Sequence, residues 1–148
     1  MELNSEEILK KILTLANFLE FLEENRFKII SYRRAVRSIQ ESGKDVMELY
    51  RSGELKKIAG VGDAIFKKIA EIIETGNLRK LDEVRKNIPE NISEMLEKLP
   101  ISGKKVRCLV DNGIDSIDKL RDAVSSGRLE EIPDFGKKSA EKIKNFFS

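Results

Sequence analysis

Three short segments of the chain place a glycine just before a helix-like pattern that carries lysines. They are IAGVGDAIFKKI at residues 58–69, LPISGKKVRCLV at 99–110 and IPDFGKKSAEKI at 132–143. Aligned without gaps, they share a glycine four positions after an apolar residue, and that glycine is Gly62, Gly103 or Gly136. Three copies in register indicate an internal repeat rather than a chance match.

The chemistry available to such a segment is phosphate binding. The first N–H groups of a helix have no partner inside the helix and carry the positive end of its dipole. A glycine lets a sugar-phosphate backbone come close, and the lysines that follow add positive charge. Contacts of this kind hold a nucleic acid without reading its bases. The alternative is a tight helix–helix turn with no ligand, which three copies in one chain disfavour.

Composition and spacing exclude several other kinds of site. The chain has no histidine, which removes histidine-based triads and classical zinc fingers. Its single cysteine, Cys108, rules out an internal disulfide and fits a reducing compartment. A dinucleotide-binding loop is excluded, because no strand pattern precedes Gly60 and Ile65 stands where a third glycine is needed. With a polar start and no membrane-spanning apolar run, we expect a cytoplasmic protein without membrane contact.

Positive charge is concentrated in the middle of the chain. The net charge of the whole chain is only +2. Residues 1–25 carry two lysines against six glutamates, whereas residues 26–83 carry thirteen basic residues against nine acidic ones. Clustered basic residues are a better sign of a nucleic-acid face than total charge, although any single cluster also fits a solvated helix surface.

The hydrophobic spacing predicts an all-α protein of two small helical subdomains, at residues 1–83 and 84–148. Asn4 or Ser5 is expected to cap a first helix with one broad apolar face. A second helix is predicted from about residue 28 to 39, a short third helix at VMELYRS, and a longer one over residues 64–74 that ends before Gly76. Two short helices separated by Pro89 follow, and no strand pattern is present in the sequence.

The order of these segments resembles the amino-terminal region of family X DNA polymerases, the DNA polymerase beta-like repair enzymes. GVGDAIFKKIAEIIETGNLRKLDEV is similar to the helix-hairpin-helix motif of that region and its following helix, and NRFKIISYRRAVRSI to the helix before the motif. The stretch from residue 99 to 143 resembles the next helical subdomain, with a second hairpin and the third glycine element of prokaryotic members. The resemblance implies a DNA repair module in which one hairpin grips the 5′ side of a gap and the other grips the primer side.

DNA contacts are predicted at the three glycine elements and at the basic clusters near them. These residues are Lys28, Tyr32, Arg33, Arg34, Gly60, Val61, Gly62, Lys67, Arg79, Lys80, Gly103, Lys104, Lys105, Gly136, Lys137 and Lys138. Ile101 and Asp134 replace the first glycine of the pair in the second and third copies, which weakens the expectation there. Asp134 would in addition repel a phosphate that it faced.

The resemblance also bears on metal ions and on polymerase chemistry. It implies that backbone carbonyls of Lys56, Ile58 and Val61 hold a Na⁺ or K⁺ ion that bridges to phosphate, and no other cofactor is expected. Polymerisation in this family needs three aspartates on strands of a palm domain. SYRRA at residues 31–35 looks superficially like a palm loop but lies in a helical run without a following Asp-x-Asp, so this chain is not expected to polymerise DNA.

Lys68 matches the lysine that, in several family members, removes 5′-deoxyribose phosphate through a Schiff base. On a helical wheel it lies at the edge of the apolar face, so it is expected to be half-desolvated, which lowers a lysine pKa. Lys80, Arg79 and Lys28 are candidate cationic neighbours, and the resemblance places Tyr32 in the same pocket.

Three departures count against lyase activity. Ala64 and Lys67 stand where the family has an assisting lysine and glutamate, and Phe27 replaces a histidine. The alternative for Lys68 is an ordinary surface lysine.

Three functions therefore stay open at this point. The first is sequence-independent binding of gapped or nicked DNA or of 5′-phosphate ends. The second adds a 5′-deoxyribose-phosphate lyase step at Lys68. The third is a helical protein-interaction domain that docks a separate polymerase palm.

Overall fold

The computed structural model describes residues 3–148, and within that range every regular element is helical, which confirms the predicted all-α class. Two 3₁₀ turns, Leu55–Lys57 and Arg128–Glu131, precede the first and third glycine elements. The α-helices in chain order are α1 Ser5–Phe21, α2 Arg26–Glu41, α3 Val46–Ser52, α4 Asp63–Thr75, α5 Arg79–Arg85, α6 Glu90–Lys98, α7 Gly103–Asp111, α8 Ile117–Ser125 and α9 Lys137–Phe147. In the described range no helix has both the length and the apolar character that a bilayer crossing requires.

Local signals in the sequence set the helix boundaries. Asn4 caps α1 by accepting the Glu7 N–H at 2.8 Å, while the Glu7 carboxylate accepts the Asn4 N–H at 3.2 Å. Gly76 closes α4 in the left-handed conformation, as predicted. The second helix is longer than the sequence predicts by two residues at each end. The hydrophobic spacing missed these residues because Arg26, Phe27, Gln40 and Glu41 are solvent-exposed and lie off the buried face.

Helix α1 is the centre of the fold. It packs against α2, α3 and α4 of the first half and against α5, α6 and α7 further along the chain. Ile8, Ile12, Leu15 and Phe18 on its buried face are fully removed from water. Each buried side chain of this size contributes about 1.5–3 kcal/mol. The apolar core around α1 is continuous, and it reaches buried residues of α7 and α9.

The second glycine of the repeat is where α7 meets α1. A Cβ added to Gly103 would lie 2.0 Å from the backbone oxygen of Asn17 and 2.9 Å from the backbone nitrogen of Phe21. Only a residue without a side chain allows this approach. At Gly62, which occupies the same position in the first copy, an added Cβ would meet nothing within 4 Å.

We expect Gly103→Ala to be severely destabilising and Gly62→Ala to be mild, although the two glycines align in sequence. The first change forces α7 away from α1 and should lower the free energy of unfolding by about 3 kcal/mol. The second places a methyl group in open space with an ordinary φ of −90°, and should cost less than about 1 kcal/mol. Urea unfolding of both variants checks the prediction, and equal losses would contradict it.

Candidate nucleic-acid interface

The first hairpin presents an open helix start. Gly60 has a φ of +87°, which lets the chain turn sharply into Gly62 and α4. In the structure α4 has no side-chain cap, and Gly62, Asp63 and Ala64 are exposed. The Asp63 carboxylate lies 3.1 Å from the Lys56 ammonium, which offsets its negative charge. The first amides of α4 are therefore available to an anionic ligand.

One residue of this hairpin, Val61, differs from expectation. The Val61 side chain is buried and its N–H donates to the Ile58 carbonyl at 3.1 Å, so the Val61 amide is not available to a phosphate. Arg34 lies against the turn, since a Cβ on Gly60 would be 3.6 Å from its Cγ and Nε. The predicted contact at Val61 is thus corrected to an internal hydrogen bond, while Arg34 is well placed beside the glycine pair.

Lys68 lies half-buried on α4, at the edge of the apolar face. Its ammonium is 5.8 Å from the ring centroid of Tyr32. Burial lowers the pKa of Lys68, and the charges of Lys28 and Lys80 lower it further, while Glu71 acts in the opposite sense. The charges of Lys28 and Lys80 thus reach Lys68, and together these amines make this part of the surface attractive to a phosphate.

Tyr32 lies next to Lys68 as a buried ring rather than an exposed platform. Its ring is 3% exposed, and burial raises the pKa of its phenol. A ring so covered cannot stack on a base, so direct DNA contact by Tyr32 does not fit the structure. Phe27, by contrast, is 85% exposed on the same helix, and Ile30 is 55% exposed. The position of Phe27 off the buried stripe of α2 was the signal for its exposure.

Arg79 contributes differently from the cationic neighbour that was predicted. Its backbone N–H donates to the Glu71 carboxylate at 2.6 Å, and its charge is not among those that shift the pKa of Lys68. Lys67, Arg79 and Lys80 are exposed around the first hairpin, as are Lys137 and Lys138 on α9.

Arg33, predicted to contact DNA, is half-buried and paired with side chains of α1. Its two terminal nitrogens donate to both carboxylate oxygens of Glu20, at 2.7 and 3.1 Å, and one also donates to Asn17 Oδ1 at 2.9 Å. Such a bidentate pair is geometrically specific and strong for an ion pair. The prediction for Arg33 is corrected, because this guanidinium joins α2 to α1 and its charge is paired with that of Glu20.

The amides of the second hairpin are also occupied from within. Glu20 Oε1 accepts the Lys104 N–H at 2.9 Å, and Asn17 Oδ1 accepts the Gly103 N–H at 3.3 Å. A carboxylate of the chain itself thus sits where a phosphate was expected, on the positive end of α7. The predicted phosphate contact through the Gly103 amide does not fit this structure, and the Lys104 amide is occupied in the same way, while the Lys104 side chain is exposed. No local sequence pattern could reveal the pairing, since the partners are 84 and 86 residues apart.

The third element is tied to the second by Lys105. Its ammonium donates to the carbonyls of Asp134 at 2.7 Å and Phe135 at 2.8 Å. The predicted DNA contact by Lys105 is therefore corrected to an internal link. Asp134 adopts a φ of +63°, so it does take the left-handed turn that Gly60 takes in the first copy. Gly136 is exposed, and α9 begins there without a side-chain cap.

The monovalent cation expected at the first hairpin stays a prediction. The Ile58 carbonyl accepts one hydrogen bond, from Val61, and a carbonyl oxygen has a second lone pair for a cation. The Lys56 ammonium pairs with the Asp63 carboxylate, and the backbone carbonyl of Lys56 takes no part in that ion pair. Among residues 3–148 no group of three or more acidic or cysteine side chains is arranged to hold a metal.

Comparison with known families agrees with this helical architecture. A family model described as a helix-hairpin-helix domain matches residues 4–78, and one described as a SAM-like helix-hairpin-helix tandem matches residues 93–147. The first match covers just over half of the chain. The chain belongs to the helix-hairpin-helix domain family.

A curated protein is similar to almost the whole of this chain. The protein named DNA polymerase/3′-5′ exonuclease PolX, from Bacillus subtilis (strain 168), is 25% identical over 142 residues. The aligned region covers 95% of this chain and 24% of that protein, so the chain spans about a quarter of its relative's length. This similarity confirms the resemblance to family X polymerases that the motifs predicted.

We expect Glu20→Gln to loosen the junction of α1, α2 and α7 in a pH-dependent way. Burial acts to raise the pKa of Glu20, but hydrogen bonds from Arg33 and the Lys104 N–H hold it below its ordinary value of 4.5. A carboxyl with a lowered pKa stabilises the fold above its unfolded pKa, and this contribution disappears as pH falls through the folded pKa. At pH 7 the free energy of unfolding of Glu20→Gln should be about 1–2 kcal/mol lower than that of wild type.

The measurement is urea unfolding of wild type and variant between pH 7 and pH 3. The difference between them should shrink towards the acid end. Glu24→Gln is the matched control, because Glu24 is exposed close to the end of α1. A difference that stays constant over the pH range, or an equal loss in the control, would count against the assigned role of Glu20.

Proposed function

We propose that this chain binds DNA without reading base sequence, at gaps, nicks or 5′-phosphate ends, as part of DNA repair. The observation that carries the proposal is the open start of α4 beside the converging amines of Lys28, Lys68 and Lys80. Membership of the helix-hairpin-helix family supports it, and so does similarity to a protein whose name includes DNA polymerase.

In this proposal the first hairpin holds two different phosphates. One strand lays a phosphate on the exposed amides at the start of α4, where Arg34 adds charge beside Gly60. The terminal 5′-phosphate lies between Lys28 and Lys80, close to Lys68. A Na⁺ or K⁺ ion on the carbonyls of the turn would strengthen the first of these contacts. None of these groups reads a base edge, so sequence preference should be weak.

We further propose a lyase step at Lys68, favoured by its lowered pKa and half-buried position. The unprotonated Nζ attacks C1′ of the open-chain sugar, and loss of water gives an imine. A proton then leaves C2′, the bond between C3′ and its oxygen breaks, and the downstream strand departs with its phosphate. We assign acceptance of that proton to the carboxylate of Glu71, whose charge acts on Lys68. Water finally hydrolyses the imine and frees the lysine.

The similarity to a polymerase and exonuclease supports one more proposal about context. The chain corresponds to about a quarter of that relative, in a region of helix-hairpin-helix type. We propose that it positions DNA for a polymerase palm, on the same or another polypeptide.

For DNA binding, we expect a clear preference for a one-nucleotide gap with a 5′-phosphate over the same gap with a 5′-hydroxyl. The double variant Lys28→Gln/Lys80→Gln should bind the phosphorylated gap about tenfold more weakly and lose that preference, because two cations of the pocket are gone. The slope of log K against log[salt] should fall by about 2. Fluorescence anisotropy over a salt series measures both quantities.

The matched control is Lys10→Gln/Lys86→Gln, which removes one exposed lysine from α1 and another from the end of α5. It should keep the preference for the 5′-phosphate. Wild-type binding that is indifferent to the 5′ end would refute the assigned pocket, and absence of salt-sensitive binding would refute the DNA-binding proposal.

For the lyase step, we expect borohydride to trap a covalent adduct with gapped DNA that carries a 5′-deoxyribose phosphate. Lys68→Ala should abolish the adduct, whereas Lys86→Ala, which removes an exposed lysine at the end of α5, should keep it. The trapping rate should rise with pH through the lowered pKa of Lys68, since only the free amine attacks. An adduct that survives in Lys68→Ala would mean that another residue is the nucleophile. If wild type forms no adduct, the lyase proposal fails and only the DNA-binding proposal remains.

A further inference from the structure

A second basic surface lies on the other side of α2 from the Lys68 pocket. It is a cleft of about 450 Å³ between α1, α2 and the turn before α7, and Lys142 of α9 lines it as well. Arg33, Arg37 and Lys142 bring three positive charges to this cleft, and no carboxylate is among its described lining residues. Pro100 and Ile101 add an apolar wall.

The three cations of the cleft differ in their partners. Arg33 is neutralised by its bidentate pair with Glu20. Within residues 3–148, Arg37 and Lys142 make neither an ion pair nor a hydrogen bond, and both are exposed. Two uncompensated like charges that face one cleft attract an anion, and the nearby apolar wall reduces the screening of that attraction by water.

Basic side chains on α2 link the cleft to the first hairpin. Arg34 lies against Gly60, and Arg37 follows three residues later, so that the two arginines are neighbours on the helix surface. The sequence of α2 holds five basic residues and a single acid, Glu41, at its last position. A row of cations thus runs from the hairpin turn, through Arg34 and Arg37, to Lys142.

We infer that the cleft of Arg37 and Lys142 is a second sugar-phosphate site, which binds the strand that leaves the first hairpin. This inference rests on the proposed DNA binding and extends it to Arg37, which lies outside the glycine elements, and to Lys142, near the end of the third element. It also gives the carboxy-terminal half of the chain a contact with DNA, although Glu20 closes the amides of α7. The ligand is the polyanionic backbone itself, because the cleft offers charge and an apolar wall but no fixed array for a base edge.

The test is anisotropy of the full chain on a one-nucleotide gapped duplex with a 5′-phosphate, over a salt series. Arg37→Gln/Lys142→Gln should bind about tenfold more weakly than wild type, and its slope of log K against log[salt] should be smaller by about 2. The control Lys86→Gln/Arg128→Gln removes the same two charges at exposed positions that line none of the described clefts. It should stay close to wild type.

The outcomes separate this inference from the proposal on which it rests. A loss in the cleft variant that exceeds the control supports the second site, provided that the preference for a 5′-phosphate persists. Equal affinity and slope in the two variants, with wild type still binding the gap, would overturn the second site and leave the first hairpin intact. If wild type shows no salt-sensitive binding, both proposals fail.

Discussion

The approach of α7 to α1 at Gly103 determines which parts of this molecule can meet a ligand. Because the two backbones almost touch there, Asn17 and Glu20 reach the first amides of α7 and satisfy them. Glu20 also holds Arg33, and the Arg107 guanidinium lies 4.3 Å over the Phe21 ring at the end of α1. A helix start of the phosphate-binding type is thereby turned into an anchor between the two halves of the chain.

The same anchoring continues into the third glycine element and positions α9. Lys105 projects from α7 to the carbonyls of Asp134 and Phe135, so an ammonium of the chain satisfies this turn. With α7 fixed on α1 and the third turn fixed on α7, Lys142 of α9 comes to line the cleft that Arg37 lines from α2. Hydrogen bonds from Lys105 in the second half thus help to position Lys142 beside the basic residues of α2.

Features that depend on interactions between residues close in sequence could be predicted, and features that depend on distant residues could not. The α-helices and the half-burial of Lys68 were predictable, because caps and hydrophobic spacing act within a few turns. The roles of Gly103 and Arg33 were not, since their partners lie far away in sequence or on another helix. Alignment of the repeat treated Gly62 and Gly103 as equivalent, yet Gly62 precedes its helix, whereas Gly103 follows the cap Ser102 and is buried. The serine was the one local sign of that difference.

The two proposed roles of the first hairpin place opposite demands on Lys68. A phosphate in direct contact with its ammonium would stabilise the charged form, raise the pKa and suppress attack on the sugar. Nucleophilic chemistry therefore requires other groups to carry the phosphate, and Lys28 and Lys80 can do so while burial keeps the pKa of Lys68 below its ordinary value. Tyr32 beneath the amine excludes water and maintains its partial desolvation. In the proposed reaction the roles are divided, so that Lys28 and Lys80 hold the anion and the half-buried Lys68 supplies the nucleophile.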